Sequence, residues 1–105
     1  MAEVKILNDL LLEGVIQERK PALVAVVNAF SIPCDHFKPE FEGVQVPVAK
    51  YRIDADENPS VVQRLSVTEI PVTILIRDGQ EFARWAGPYS REALQERVLE
   101  RMRKA

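Results

Sequence analysis

Two hydrophobic periods alternate along this chain. Residues 7–19 place Leu7, Leu10, Leu11, Leu12, Val15 and Ile16 at broadly helical spacing, which predicts a first helix closed by Lys20-Pro21. Gly14 opposes that helix by about 1 kcal/mol relative to alanine. Ala22–Ala29 is a short, nearly continuous apolar run, the pattern of a strand buried on both faces. Phe30–Pro33 follows as a turn, with Pro33 suited to a helix's first turn, and a second helix is predicted over 34–42 with Gly43 as its stop. Pro47–Ile53 is the next strand. Asn58-Pro59 reads as N-cap and first position of a third helix, with Val61, Val62 and Leu65 as its buried stripe. Val72–Ile76 is rich in branched residues and reads as a strand. Asp78-Gly79 is a hairpin signal leading into a strand over 80–86. Ser90 caps a last helix that turns Leu94, Val98, Leu99 and Met102 inward.

From Ala22 the order is strand, helix, strand, helix, two strands, helix. That order predicts an α/β fold: a central mixed sheet of about four to five strands flanked by about four helices. With 105 residues, 47% of them hydrophobic, the chain suits one domain spanning residues 1–105. The formal net charge of −2 favours neither nucleic acid nor an anionic membrane surface. The basic C-terminal end (Arg97, Arg101, Arg103, Lys104) suits a helix C-terminus, and the remaining alternating charges of 91–104 read as a solvated helix face. No run approaches the roughly 20 apolar residues of a membrane span, and Met1–Leu12 lacks the layout of a signal peptide. A cytoplasmic location is the expectation. One cysteine excludes an internal disulfide, and one cysteine with one histidine argues against a structural zinc site.

Four segments carry a resemblance to the thioredoxin family over essentially the whole chain. They are Phe30-Ser31-Ile32-Pro33-Cys34 at a strand-to-helix turn, Asp54-Ala55-Asp56-Glu57-Asn58-Pro59, Val67-Thr68-Glu69-Ile70-Pro71, and Asp78-Gly79 followed by Gly87 and a C-terminal helix. Each is weak alone; their order and spacing are strong. The segment after Pro39 reads about one helical turn shorter than in a typical family member. The resemblance implies the thioredoxin fold with a cis-proline at Pro71, no cofactor, protein-disulfide reduction in cell redox homeostasis, a protein or peptide client, a thioredoxin-reductase-like donor and a monomer.

That chemistry normally uses Cys-X-X-Cys. A thiolate at a helix N-terminus attacks the target disulfide, and a second cysteine resolves the mixed disulfide. By resemblance Ser31 holds the first position, and an alcohol forms no mixed disulfide. Cys34 holds the second, and its neighbour Asp35 disfavours a thiolate by like-charge repulsion. The family's buried acid corresponds to Ala25. Weak or absent dithiol activity is therefore expected. The peptide groove implied by the resemblance comprises Phe30, Ile32, Pro33, Ile70, Pro71 and Gly87, with Ile70 matching cytoplasmic members better than protein disulfide isomerases. The alternative is a non-catalytic binding or assembly module using the groove beside Pro71.

Several residues admit two readings. Ser31 fits a natural loss of the nucleophile, a deliberate Cys-to-Ser change, or an ordinary turn serine; Ala25 favours natural divergence. Cys34 fits a half-buried, sluggish core thiol, an accessible monothiol or a dimer-forming thiol. His36 sits two positions from Cys34, a spacing that does not share a helix face, so it reads as solvated rather than as a metal ligand beside Cys34. Trp85 reads as packing, or as a partner contact. Glu69 reads as a loop charge, or as a groove-rim carboxylate selecting basic partners.

Overall fold

The structure is a computed structural model that describes residues 4–104. Its elements are β1 (Val4–Leu7), α1 (Asp9–Glu18), β2 (Ala22–Val27), α2 (Ile32–Gly43), β3 (Ala49–Asp54), α3 (Pro59–Arg64), β4 (Val72–Arg77), β5 (Gln80–Ala86) and α4 (Arg91–Arg103). The five strands form one mixed sheet in the order β1-β3-β2-β4-β5. β3 runs parallel to β1 and β2, while β4 is antiparallel to β2 and β5.

All six residues of β2 are buried, which explains its unbroken apolar run. Alternation sends Val24 and Val26 to one face, where they meet Leu12 of α1, Val61 of α3 and Ile53 of β3. Leu23, Ala25 and Val27 face the other side, against Cys34, Phe37 and Phe41 of α2 and Leu94 and Val98 of α4. Two cores thus share one strand as their floor.

Several sequence expectations need correction. Val4–Leu7 is a strand, so Leu7 closes β1 rather than opening a helix. Four residues are too few to display a period. α1 instead starts at Asp9 behind Asn8, whose side chain accepts the Leu11 N–H at 2.9 Å. Of its apolar residues only Leu12 is fully buried; Leu10 and Leu11 are exposed. β2 stops at Val27, two residues short of the predicted end, and β3 starts at Ala49 rather than Pro47. Asn58 flanks α3 but makes no cap with its side chain. It is buried and used across the fold instead: its Nδ2 donates to Asp54 O at 2.9 Å and its Oδ1 accepts Asp9 N–H at 3.3 Å. In α4, Leu94 and Val98 are buried, Met102 packs on the second core, and Leu99 is only partly buried outside it. The hairpin signal holds: Asp78 and Gly79 have φ of 55° and 78°, as a two-residue turn matched to strand twist requires.

Two helix ends are completed by distant cations. Gly43 is the last residue of α2, and the chain leaves it through Val44 in extended conformation. Lys50 of β3, only 2% exposed, donates its Nζ to Phe41 O (3.3 Å), Glu42 O (2.7 Å) and Val44 O (2.7 Å). Phe41 O also accepts the Val44 N–H at 3.2 Å, Glu42 O and Val44 O are carbonyls at a helix end with Lys50 as donor, and a cation there also complements the helix dipole. Arg84 of β5 does the same for α3, donating to Leu65 O (2.5 Å) and Ser66 O (3.2 Å) while paired with Glu81. Burial pushes the Lys50 ammonium below the ordinary lysine range, and the Glu42 carboxylate counters part of that shift.

Removing the Lys50 ammonium takes the donor from Glu42 O and Val44 O and leaves Phe41 O only the Val44 N–H, so Lys50→Met is expected to lose about 2–4 kcal/mol in urea unfolding. The sign with pH is opposite to that of a salt-bridged lysine. The folded-state value lies below the unfolded one, so between the two the unfolded chain binds more protons. The parent therefore gains stability relative to Lys50→Met as pH rises toward 10.5. A flat difference across that range would contradict the burial argument.

Candidate functional site

The end of β2 hands the chain to a turn that starts α2, and Ser31 is the N-cap of that helix. Its backbone is extended (φ −136°, ψ 126°), its Oγ accepts the Cys34 N–H at 3.5 Å, and its carbonyl accepts Asp35 N–H at 2.8 Å. Pro33 lies in the first turn, where a missing N–H has no cost. Ser-Ile-Pro is a cap-and-proline start, a signal that places the helix start at Ile32 rather than at 34.

Cys34 is completely buried, its side chain part of the α2–α4 core. That replaces the half-buried expectation with a fully enclosed thiol. The sulfur accepts the Asn28 N–H at 3.3 Å. Ala25 lies in the same core beneath α2, so the sheet presents a methyl group, not a carboxylate, on that side. Asp35 is exposed and lies 3.9 Å from the Lys38 ammonium. His36 is exposed while Cys34 is enclosed, so the two are not brought together.

The Ile70–Pro71 peptide bond is cis. Gly87, with φ of 109°, donates its N–H to Pro71 O at 2.8 Å, which joins the loop before β4 to the end of β5. The register pairs Val26 with Val72, so the Pro71 loop and the Ser31 turn lie at the same end of the sheet. Phe30 is 97% exposed and Ile32 is 73% exposed, whereas Ile70 is half-buried and Pro71 buried. Glu69 is exposed. Trp85 packs on the α2–α4 core. Sequence reasoning missed Asp56, whose Oδ2 accepts the Ala29 N–H at 3.2 Å and braces the turn from the loop after β3. The Asp54-Ala55-Asp56 turn, in which Asp56 N–H donates to Asp54 Oδ1 at 2.8 Å, was the available signal.

The family model described as thioredoxin matches residues 3–100. The chain is 32% identical over 99 residues to the thioredoxin of Mycolicibacterium smegmatis, covering 89% of this chain and 88% of that one. It is 30% identical to a thioredoxin of Mycobacterium tuberculosis, covering 89% and 84%. Among solved structures it resembles Fasciola hepatica thioredoxin with a TM-score of 0.83 at 27% identity, covering 93% of this chain and 99% of that one. It matches the fold of Malassezia sympodialis thioredoxin with a TM-score of 0.85 at 20% identity, covering 96% and 92%.

The cap predicts that Ser31→Ala costs about 1 kcal/mol, read as a melting temperature lower by about 4–8 °C, whereas Ser31→Asp holds stability near the parent's. Burial predicts that iodoacetamide labels Cys34 in the native protein at least about tenfold more slowly than in denaturing urea. Equal rates, measured by mass spectrometry, would contradict the enclosed thiol.

Proposed function

Because the chain belongs to the thioredoxin family, we propose that it is a thioredoxin-type oxidoreductase scaffold whose dithiol activity is weak or absent. We read residues 1–105 as one such domain, monomeric and cytoplasmic. Net charge and the lone cysteine support a reducing compartment without nucleic-acid or membrane partners. Among the described residues no helix is long and apolar enough to cross a membrane.

One observation carries the reading. The Ser31 hydroxyl caps α2, while the thiol three residues later has no exposed surface. Reduction of a client disulfide needs a thiolate sulfur to attack one client sulfur and expel the other as a thiolate. The second protein thiol must then displace the first, leaving a protein disulfide and a reduced client. A hydroxyl at position 31 supplies no attacking sulfur, and Cys34 alone has no partner thiol with which to form the product disulfide. Ala25 supplies no proton acceptor beneath it. Cys34, Ser31 and Pro33 are thus the remnant of the reacting centre, and any electron donor would be a reductase-like protein.

A second reading is favoured by Phe30 and Ile32. Two large apolar side chains at 97% and 73% exposure flank an otherwise well-capped helix start. With Pro33, Ile70, Pro71 and Gly87 they suit an extended client peptide, bound without chemistry. On this reading the chain is a binding or assembly module.

Insulin reduction with dithiothreitol separates the two. The chain is expected to give no turnover above the reductant alone, and Ser31→Cys to gain turnover. Parent turnover comparable with an ordinary thioredoxin would sink the first reading. An inert, folded Ser31→Cys would favour the binding module.

A further inference from the structure

The end of the sheet that holds the Ser31 turn carries charge of one sign. The segments at that end are residues 28–36, 55–58, 67–71 and 87–90. They contain Asp35, Asp56, Glu57 and Glu69, and no lysine or arginine. The whole chain has 14 lysines and arginines against 16 acidic residues, so setting these four acids aside leaves 14 against 12. The excess of negative charge is therefore local to the site. All four acidic residues are exposed. Two cations reach this end from outside among the described residues, and both are engaged. Lys38 lies 3.9 Å from Asp35, and Arg84, which donates to Ser66 O beside the third segment, is paired with Glu81. The ion pairs among the described residues include none with Glu57 or Glu69.

Contacts tie these carboxylates to the exposed apolar side chains. Asp56 Oδ2 accepts the Ala29 N–H at 3.2 Å, next to Phe30, and Glu57 follows it. Asp35 is about one helical turn after Ile32 on α2. Glu69 precedes Ile70 and its cis bond to Pro71. An acidic rim on an exposed apolar patch repels anions and attracts cations. The carboxylates do not converge on a point: among the described residues no three carboxylate, imidazole or thiol side chains could hold a metal ion. Single charges spread round an apolar patch suit a partner whose positive charges are also spaced along a chain, with an apolar residue between them. The backbone of residues 68–70 makes no hydrogen bond among the described residues, which suits that chain being extended. The protein's own basic end is less suited, because it is a helix whose Arg101 guanidinium already lies 3.8 Å from the Phe82 ring centroid.

We propose that the partner of this groove is an extended peptide with lysine or arginine flanking an apolar residue. Phe30 and Ile32 take the apolar side chain, and Asp35, Asp56, Glu57 and Glu69 select the flanking charges. The inference rests on the proposed groove and names the charge of what enters it, whether or not chemistry follows.

Three fluorescently labelled peptides test it, sharing a central Val-Phe-Val and carrying lysine, serine or glutamate on both flanks. Affinity is read by anisotropy. At about 0.01 M salt, where charges act over roughly 30 Å, the lysine peptide is expected to bind at least about tenfold more tightly than the glutamate peptide, with serine between. At about 1 M salt that ratio closes toward one. Glu57→Gln with Glu69→Gln, at two exposed positions outside every ion pair named above, lowers the low-salt ratio at least about threefold. Phe30→Ser weakens all three peptides and keeps their order. Equal binding of the three peptides, with Phe30→Ser weakening each, overturns the charge selection and leaves the groove standing. An unchanged ratio in the folded double variant does the same. No binding by any peptide overturns both. A lysine-peptide affinity untouched by Phe30→Ser puts the peptide elsewhere and overturns the proposal, as does a low-salt dimer of the parent that excludes the peptide, because a second copy then fills the groove.

Discussion

Everything in this molecule depends on β2 being covered on both faces. Six consecutive residues are buried, and the five from Leu23 to Val27 alternate between two cores. That requirement fixes the layering, since helices must stand on both sides of the sheet and neighbouring strands must satisfy both backbone edges. It also fixes the position of the site. The chain leaves β2 at the sheet's end and must turn at once to lay α2 back over Leu23, Ala25 and Val27. The turn at Ser31 and the loop at Pro71 meet there because β4 starts where β2 stops.

The same geometry explains why Cys34 is inaccessible. A helix that packs its first turn onto a buried strand points its inward residues into the core, and position 34 is the first of these, followed by Phe37 and Phe41. Outward positions 32, 33, 35 and 36 are left in solvent. At the cap itself, oxygen serves the backbone well: a serine hydroxyl is among the best acceptors for a helix's free N–H groups. On the function proposed above, the same hydroxyl that suits the helix leaves position 31 without an attacking sulfur.

Polar groups in the two cores follow one rule, that a buried donor finds carbonyls. Lys50 and Arg84 reach helix ends from strands, and Asn58 joins the start of α1 to the end of β3. At the end of α2, which stops at Gly43 without a left-handed residue, Lys50 supplies donors to the final turn, whereas α3 ends on a left-handed Ser66 (φ 51°) with Val67 N–H donating to Val62 O at 2.9 Å, and Arg84 adds donors to Leu65 O and Ser66 O. The exception is Thr73, whose hydroxyl has no such carbonyl.

Sequence by itself determined the parts whose signal is local or periodic: the apolar run of β2, the hairpin at Asp78-Gly79, the caps at Ser90 and Pro33, the inward Leu94 and Val98, and the family pattern of the Ser31 turn and the Pro71 loop, which lie at the same end of the sheet. It underread β1, whose four residues carry no period, and it gave Asn58 a local role because the N-cap rule cannot see a partner at Asp9. Only the tertiary structure decided which polar residues are buried. Lys50 looks like any surface lysine until the end of α2 arrives above it, and Thr73 looks like an ordinary strand threonine until β2 and β5 close around it. Burial of a polar side chain depends on what packs across from it, and that neighbour is far away in the chain. For the same reason the enclosure of Cys34 was settled by the sheet beneath α2, not by the motif around it.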